Sequence, residues 1–351
     1  MIDRAAFAAL LCDWCLELAA GQQVLIAAPA AAEPLVRALH RAVLEREAWP
    51  LLRLQPGWAA RDLLTHARER QLDRPGSVEV IEAAEADAHL WIMAPVNTRA
   101  LAGVDPARIV RLARGRTEVQ EARMRRRWCG TVWPTAALAQ QAGMAEDDYA
   151  DFVRRALFLD RDDPAAAWQE LSARQAELVA RLERAEEIHI EAEGTDLRLR
   201  VGARTWVNSD GRRNMPSGEV FTGPIEDSAE GTIRFTIPSS PRGVDVRDVT
   251  LRFAGGEVVE ASAAAGQENL DAALATDAGA RRLGEIGIGT NTGIDRPTGA
   301  ILLDEKMAGT VHLALGRSYP ETGGCNESAL HWDLICDLRA GGAITVDGAA
   351  L

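Results

Sequence analysis

The chain has 351 residues, of which 47% are hydrophobic and 26% are charged, the composition of an ordinary globular protein with room for two domains. Its 39 basic and 52 acidic residues give a net charge of −13, which argues against sequence-independent nucleic-acid binding and favours small ligands. No segment approaches the roughly 20 apolar residues of a membrane span, and the five cysteines form an odd, sparse set unlike a disulfide framework. We therefore expect a cytoplasmic protein with reduced cysteines.

The first half of the chain alternates between helical and strand-like patterns. Residues 2–20 have the spacing of an amphipathic helix, a short β-rich run follows at 23–27, and helical periodicity returns at 32–47. The alternation continues with a strand, a helix and an apolar strand, at 50–54, 61–71 and 89–94. Apolar strands that alternate with helices are typical of a parallel sheet covered by helices. We therefore predict an N-terminal α/β domain with a mostly parallel sheet.

The pattern changes after a long predicted helix. Residues 163–184 are rich in Ala, Glu, Arg, Gln and Leu and contain no glycine, which favours a single helix. Beyond it, 188–193 and 196–201 alternate apolar and polar residues with period two, as half-exposed antiparallel strands do. The predicted parts are an N-terminal domain of 1–185, a strand-rich α+β C-terminal domain of 186–351 and, within the latter, a helix at 267–282.

Two histidines of the C-terminal domain lie in apolar runs that are predicted strands. His312 belongs to the run 309–316, and His331 opens a second run together with Asp333. Because successive side chains of a strand point to opposite faces, His331 and Asp333 project from the same face and can hold one ion between them. A single histidine in an apolar strand is more often a core residue than a metal ligand. Two such histidines, one of them followed two residues later by Asp333, favour the metal interpretation.

Two isolated glutamates lie in glycine-flanked apolar stretches of the same domain. Glu219 lies in Pro-Ser-Gly-Glu-Val-Phe, and Glu285 lies in Leu-Gly-Glu-Ile-Gly. Burying a carboxylate among such neighbours is costly unless a cation or hydrogen bonds compensate, and a metal ion supplies that compensation. Imidazole and carboxylate ligands without thiolate suit Zn²⁺, Co²⁺, Mn²⁺ or Fe²⁺, and the carboxylates exceed what one ion needs. We therefore predict a divalent-metal site with room for two ions.

Four further residues have two open interpretations each. Tyr319 has a functional interpretation, in which its phenol binds the metal or donates a hydrogen bond to a developing oxyanion. In the structural interpretation, it caps a strand. Glu305 has a functional interpretation, as a general base or as a residue that holds His312 by a hydrogen bond. In the structural interpretation, it belongs to an exposed turn of charged residues. Asn326 and Ser328 either line the pocket or form a turn.

Six segments, in this order along the chain, resemble the aminopeptidase T and aminopeptidase S metallopeptidase family. The resemblance is strongest from about 205 to 348. The matching segments are 214–222, 283–285, 303–306, 309–316, 319–320 and 331–333.

The resemblance implies a dinuclear metal exopeptidase that removes N-terminal residues from peptides, built as a homodimer with its active site in the C-terminal domain. Two ions of zinc, cobalt or manganese are implied, and the substrate is a small peptide or another small molecule. The implied metal ligands are Glu219, Glu285, His312, His331 and Asp333. The catalytic candidates are Tyr319, Glu305 and Glu219.

Two alternatives remain open on the sequence. The superfamily also resembles the 2,5-dihydroxypyridine ring-cleaving dioxygenases, which use one Fe²⁺ held by two histidines and one carboxylate. Those enzymes have a histidine in the region where this chain has Glu285, so the glutamate favours the two-metal hydrolase. A non-catalytic protein that keeps the fold for binding is the other alternative.

Overall fold

A computed structural model describes residues 2–239 and 244–351 of the chain. The chain forms two compact units, of which the first comprises Met1–Trp168 with Gly211–Pro216 and the second comprises Gln169–Asp210 with Ser217–Leu351. The boundary predicted at 185 lies inside the second unit. No described helix is long and apolar enough to cross a membrane.

The first unit is built on a parallel sheet. Its strands are β1 (Gln23–Pro29), β2 (Trp49–Gln55), β3 (Ala88–Met93), β4 (Arg127–Val132) and β8 (Asn214–Met215). Its helices are α1 (Arg4–Leu10), α2 (Glu33–Glu45), α3 (Ala59–His66), α4 (Glu69–Asp73), α5 (Ser77–Glu85), α6 (Pro106–Gly115), α7 (Thr117–Met124), α8 (Ala136–Gln141) and α9 (Glu146–Ala156). The strand order is β2-β1-β3-β4-β8, and every neighbouring pair is parallel, as the apolar strands predict.

The second unit begins within α10 (Pro164–Leu182), at Gln169, and consists mainly of antiparallel strands. The strands are β5 (Glu187–Ala192), β6 (Thr195–Arg200), β7 (Val207–Ser209), β9 (Glu219–Thr222), β10 (Glu230–Phe235), β11 (Arg247–Ala254), β12 (Glu257–Ala265), β13 (Leu283–Gly289), β14 (Thr310–Gly316), β15 (His331–Asp337), β16 (Ala343–Val346) and β17 (Ala349–Ala350). Two short helices, α11 (Gln267–Leu274) and α12 (Ile301–Asp304), complete it.

Two sheets of the second unit share one hydrophobic core. A seven-stranded sheet has the order β12-β11-β10-β6-β5-β16-β17, and a five-stranded sheet has the order β15-β14-β13-β9-β7. Ile190 and Leu251 of the first sheet and Ile286 and Leu313 of the second belong to one buried cluster. The predicted fold class, an α/β part with a parallel sheet followed by a strand-rich α+β part, is confirmed.

The helix predicted at 2–20 ends early, since it comprises α1 (Arg4–Leu10) and a π-helix at Leu11–Cys15. Two other predicted helices are also shorter than the sequence pattern indicated. The helix expected at 61–71 is broken between α3 and α4, because Gln71 Oε1 accepts from the backbone N–H of Arg68 and starts a new helix there. The helix expected at 267–282 ends at Leu274. Asp277 then caps a separate turn by accepting from the N–H of Ala280. Local side-chain hydrogen bonds decided both boundaries.

Candidate metal centre

Four adjacent strands of the five-stranded sheet place the predicted ligands on one face. Glu285 of β13 lies opposite Ala314 of β14, which in turn lies opposite Asp333 of β15. Residues directly opposite each other on paired strands share a face, and so do residues two apart along one strand. His312 and His331 therefore join Glu285 and Asp333, and Glu219 begins β9 on the other side of β13.

The first ligand group is Glu219, Glu285 and His312, all of them buried. The Nε2 atom of His312 lies 3.1 Å from Glu285 Oε1 and 3.5 Å from Glu219 Oε2. One ligand atom from each residue lies within 4.8 Å of the other two. This spacing suits three ligands of one ion.

The second ligand group is Glu285, His331 and Asp333. The Nε2 atom of His331 lies 3.8 Å from Glu285 Oε2 and 3.7 Å from Asp333 Oδ1. On the other side of the ring, Nδ1 lies 2.8 Å from the carbonyl oxygen of Arg317. Because a carbonyl only accepts, Nδ1 carries the proton and Nε2 presents its lone pair to the group.

Glu285 is common to both groups, and its two oxygens face different histidines. Oε1 faces His312 and Oε2 faces His331. A carboxylate with one oxygen in each group has the arrangement of a bridging ligand. The predicted ligands Glu219, Glu285, His312, His331 and Asp333 are thus brought together, as two overlapping groups and not as one.

The chemistry of these side chains fits a divalent cation. Within the described part of the chain, the buried atoms Glu219 Oε2 and Asp333 Oδ1 have no hydrogen-bond partner. Burial raises the pKa of Glu219 to about 7, although the Lys306 ammonium lowers it, and burial raises the pKa of Asp333 to about 6. Burial lowers the pKa of His312, but the hydrogen bond with Glu285 and the charge of Glu219 raise it to about 9. The face therefore gathers more negative charge than it can hold without protons or a metal.

A glycine lets the imidazole of His312 reach this position. Gly287 lies opposite His312 on the paired strand, and a Cβ atom at Gly287 would lie 2.1 Å from His312 Nε2. No side chain larger than hydrogen leaves room for the ring in its present place. The sequence analysis did not predict Gly287 as part of the site. The glycines of its strand, Leu283–Gly289, were the one sequence feature that could have indicated a close approach there.

Lys306, which the sequence pattern did not single out, is buried in the site. Its ammonium donates to Glu219 Oε1 at 2.6 Å and to Glu305 Oε1. Burial lowers the pKa of Lys306, but the charges of Glu219 and Glu305 raise it above its ordinary value. Burial of Glu219 was expected to need a cation or hydrogen bonds, with a metal ion as the cation, and the Lys306 ammonium supplies part of that compensation. This cationic partner lies 87 residues along the chain, beyond any local pattern.

Glu305 and its neighbours do not form an exposed charged turn. Asp304 and Lys306 are buried, and Glu305 is half-buried. Asp304 accepts from the N–H and hydroxyl of Thr298, both at 2.8 Å, and from the N–H of Gly299 at 2.7 Å. The described partner of Glu305 is Lys306, whereas His312 is held by Glu285.

Tyr319 lies beside the second ligand group. Its ring meets the His331 ring edge-on, with centroids 5.1 Å apart, and meets Phe221 at 5.8 Å. Burial and the charges of Glu285 and Asp333 raise the pKa of the phenol above its ordinary value, so it stays protonated. A neutral phenol at this edge can donate a hydrogen bond.

Asn326 and Ser328 fasten the loop before β15. Asn326 Nδ2 donates to the carbonyl oxygens of Gly279 and Gly316, and the Ser328 hydroxyl donates to Asp277 Oδ1 at 2.7 Å. Of the two interpretations open for these residues, the contacts favour the turn over the pocket lining.

A strand-rich unit with three carboxylates and two imidazoles on one face defines a candidate metalloenzyme. Comparison with known proteins identifies the family. The chain belongs to the thermophilic metalloprotease (M29) family, whose model matches residues 3–350.

Similar proteins span nearly the whole chain. Aminopeptidase 2 of Geobacillus stearothermophilus is 32% identical over 381 aligned positions, covering 93% of this chain and 90% of that protein. Aminopeptidase T of Thermus thermophilus is 30% identical, covering 91% of this chain and 88% of that protein. The solved structure of wild-type AmpT from Thermus thermophilus matches with a TM-score of 0.84 at 26% identity, covering 99% of this chain and 96% of that chain. The family and the metallo-aminopeptidase function predicted from the sequence are confirmed.

Proposed function

We propose that this metallo-aminopeptidase holds two divalent ions that share Glu285. Glu219 and His312 complete the ligands of one ion, and His331 and Asp333 complete those of the other. The observation that carries the proposal is the position of Glu285, with one oxygen toward each histidine. Zinc, cobalt and manganese are the metals that suit this donor set.

Divalent ions held by these residues would supply a Lewis acid for the scissile carbonyl and would lower the pKa of a bound water, so that a nucleophile is available at neutral pH. The surrounding residues position the proposed ligands. The hydrogen bond from Nδ1 to the Arg317 carbonyl fixes the His331 ring with Nε2 toward the site. Lys306 fixes one oxygen of Glu219, and Gly287 makes room for His312.

Two residues are proposed to act on the substrate. Glu305 is the proton shuttle. It is close enough to the site for its charge to raise the pKa of both Asp333 and Tyr319, and its Oε1 accepts a hydrogen bond from Lys306. Tyr319 donates its phenolic hydrogen to the oxygen that gains charge on the scissile carbonyl. The substrate is proposed to be a short peptide with a free N-terminus, as the names of the relatives indicate.

The assembly and location of the protein are further parts of the proposal. We infer a homodimer, as the family resemblance implies, and a cytoplasmic location, as the sequence pattern predicts. Light scattering of the purified protein is expected to give about twice the monomer mass of 37.9 kDa. A monomeric mass at micromolar concentration would contradict the dimer and leave the metal site untouched.

Hydrolysis of aminoacyl anilides tests the function directly. Metal-stripped protein is expected to be inactive and to recover activity with Zn²⁺, Co²⁺ or Mn²⁺, at about two ions per chain. Oxygen uptake with 2,5-dihydroxypyridine and one Fe²⁺ would support the dioxygenase alternative instead. We expect none, because the relatives are aminopeptidases and Glu285 lies between both histidines. Absence of hydrolysis with every ion, on a panel of aminoacyl anilides, would refute the proposal.

Replacing Tyr319 by phenylalanine tests the oxyanion role. The variant keeps the ring contacts with His331 and Phe221 and loses only the hydroxyl. We expect kcat to fall by about 100-fold, the effect of one lost oxyanion donor, while the metal content stays at the wild-type value. The second tyrosine, Tyr149, lies in the first unit, and Tyr149→Phe serves as the control. A wild-type kcat in Tyr319→Phe would show that the phenol only packs.

A further inference from the structure

Lys306 is the only lysine among the 39 basic residues of the chain, and every other one is an arginine. A guanidinium is planar and wide, whereas an ammonium is a compact charge with three donors. The sequence thus has a lysine at one position only. That position lies inside the candidate metal centre.

The segment around Lys306 is held by hydrogen bonds to neighbouring residues. Asp304, two residues earlier, is fixed by Thr298 and Gly299, and the carbonyl oxygen of Lys306 accepts from the N–H of Asn291 at 2.9 Å. The side chain of Lys306 is 1% exposed. A buried ammonium is destabilising without acceptors, and Lys306 donates to two carboxylates of the site.

The contacts of Glu219 are divided between its two oxygens. Oε1 accepts from the Lys306 ammonium at 2.6 Å. Oε2 is buried and lacks a hydrogen-bond partner among the described residues, and it lies 3.5 Å from His312 Nε2. The ammonium competes with a metal ion for the lone pairs of Oε1, whereas the lone pairs of Oε2 have no competing donor. The ammonium therefore limits how Glu219 can bind.

We propose that Lys306 is a positioning residue that restricts Glu219 to one-oxygen ligation and orients that oxygen toward the ion shared with His312. This inference rests on the proposed function. It is consistent with a lysine at this position, because the compact ammonium of a buried side chain donates to Glu219 and Glu305 at once. It also separates the roles of the two glutamates of the first group, with Glu285 bridging and Glu219 terminal.

Metal affinity in Lys306→Met and Lys306→Arg tests the proposal. We expect both variants to bind Zn²⁺ and Co²⁺ about 10- to 100-fold more weakly than wild type, in competition with a chelator. The visible spectrum of bound Co²⁺ is expected to change in Lys306→Met, because Glu219 is then free to present both oxygens. Arg296→Met, which removes an exposed charge that pairs with Asp295, is the matched control and is expected to change neither quantity.

The outcomes separate cleanly. Wild-type affinity and spectrum in Lys306→Met would overturn the positioning role, since a residue that only supports the fold changes the melting temperature and leaves the Co²⁺ spectrum alone. Wild-type affinity in Lys306→Arg would overturn the requirement for lysine. A wild-type protein that binds neither ion would instead refute the proposed function itself.

The single lysine also permits a test without substitution, which covers variants that fail to fold. Protein labelled with ¹³C-lysine has one lysine side-chain signal in an NMR spectrum. Titration of the metal-stripped protein with Zn²⁺ is expected to shift that signal in step with the binding of the ion. An unchanged signal at full zinc occupancy would overturn the proposal.

Discussion

Replacement of Glu285 by glutamine is expected to abolish aminopeptidase activity, with a fall of roughly 1,000-fold or more in kcat/KM. Glu285 is the one residue common to both ligand groups. Glutamine keeps the size of the side chain and removes the charge, so it cannot offer an anionic oxygen to each of two ions. The bound metal is expected to fall from the proposed two ions per chain to one or none, as measured by elemental analysis.

The control for this variant is Glu321→Gln, which changes the same residue type at an exposed position near Tyr319. It is expected to retain wild-type activity and metal content. Circular dichroism establishes that Glu285→Gln is folded. Two tightly bound ions in folded Glu285→Gln would contradict the bridging role, because no other residue belongs to both groups.

Substitution of Gly287 by alanine is expected to lower activity by roughly 100-fold or more, because the new methyl group displaces the His312 ring. The methyl carbon would lie 2.1 Å from His312 Nε2, well inside van der Waals contact. His312 is fully buried, so its ring has little space to move aside and must leave its place beside Glu219 and Glu285. The expected signature is a weaker affinity for Zn²⁺, measured by chelator competition.

Gly76→Ala is the matched control for that variant. A methyl group at Gly76 would have no heavy atom within 4 Å, and the backbone there has an ordinary negative φ of −69°. This variant is expected to keep wild-type metal affinity. If Gly287→Ala bound Zn²⁺ as tightly as wild type, the close approach of the strand and the ring would have no part in metal binding.

Sequence periodicity predicted the parts of the site that lie on one strand. His331 and Asp333 are two residues apart in β15, and period two alone places them on one face. The burial of His312 also followed from its apolar run, since β14 is buried throughout. Patterns within single strands thus identified these site residues, but they did not show how the residues form two groups.

The grouping depends on contacts that are distant in sequence. Glu285 lies between the two histidines because β13 pairs with β14, and β14 with β15, an order that no single strand encodes. The pairing of Lys306 with Glu219 spans 87 residues. Such contacts are fixed by the sheet order and the shared core, so they become visible only in the folded chain.

X-ray diffraction from crystals grown with Zn²⁺, recorded at the zinc absorption edge, tests the shared-carboxylate site most directly. We predict two anomalous peaks about 4 Å apart on either side of Glu285, a separation typical of two-metal hydrolases. One peak is expected among Glu219, Glu285 and His312, and the other among Glu285, His331 and Asp333. A single peak, or two peaks that Glu285 does not join, would contradict the shared-carboxylate site.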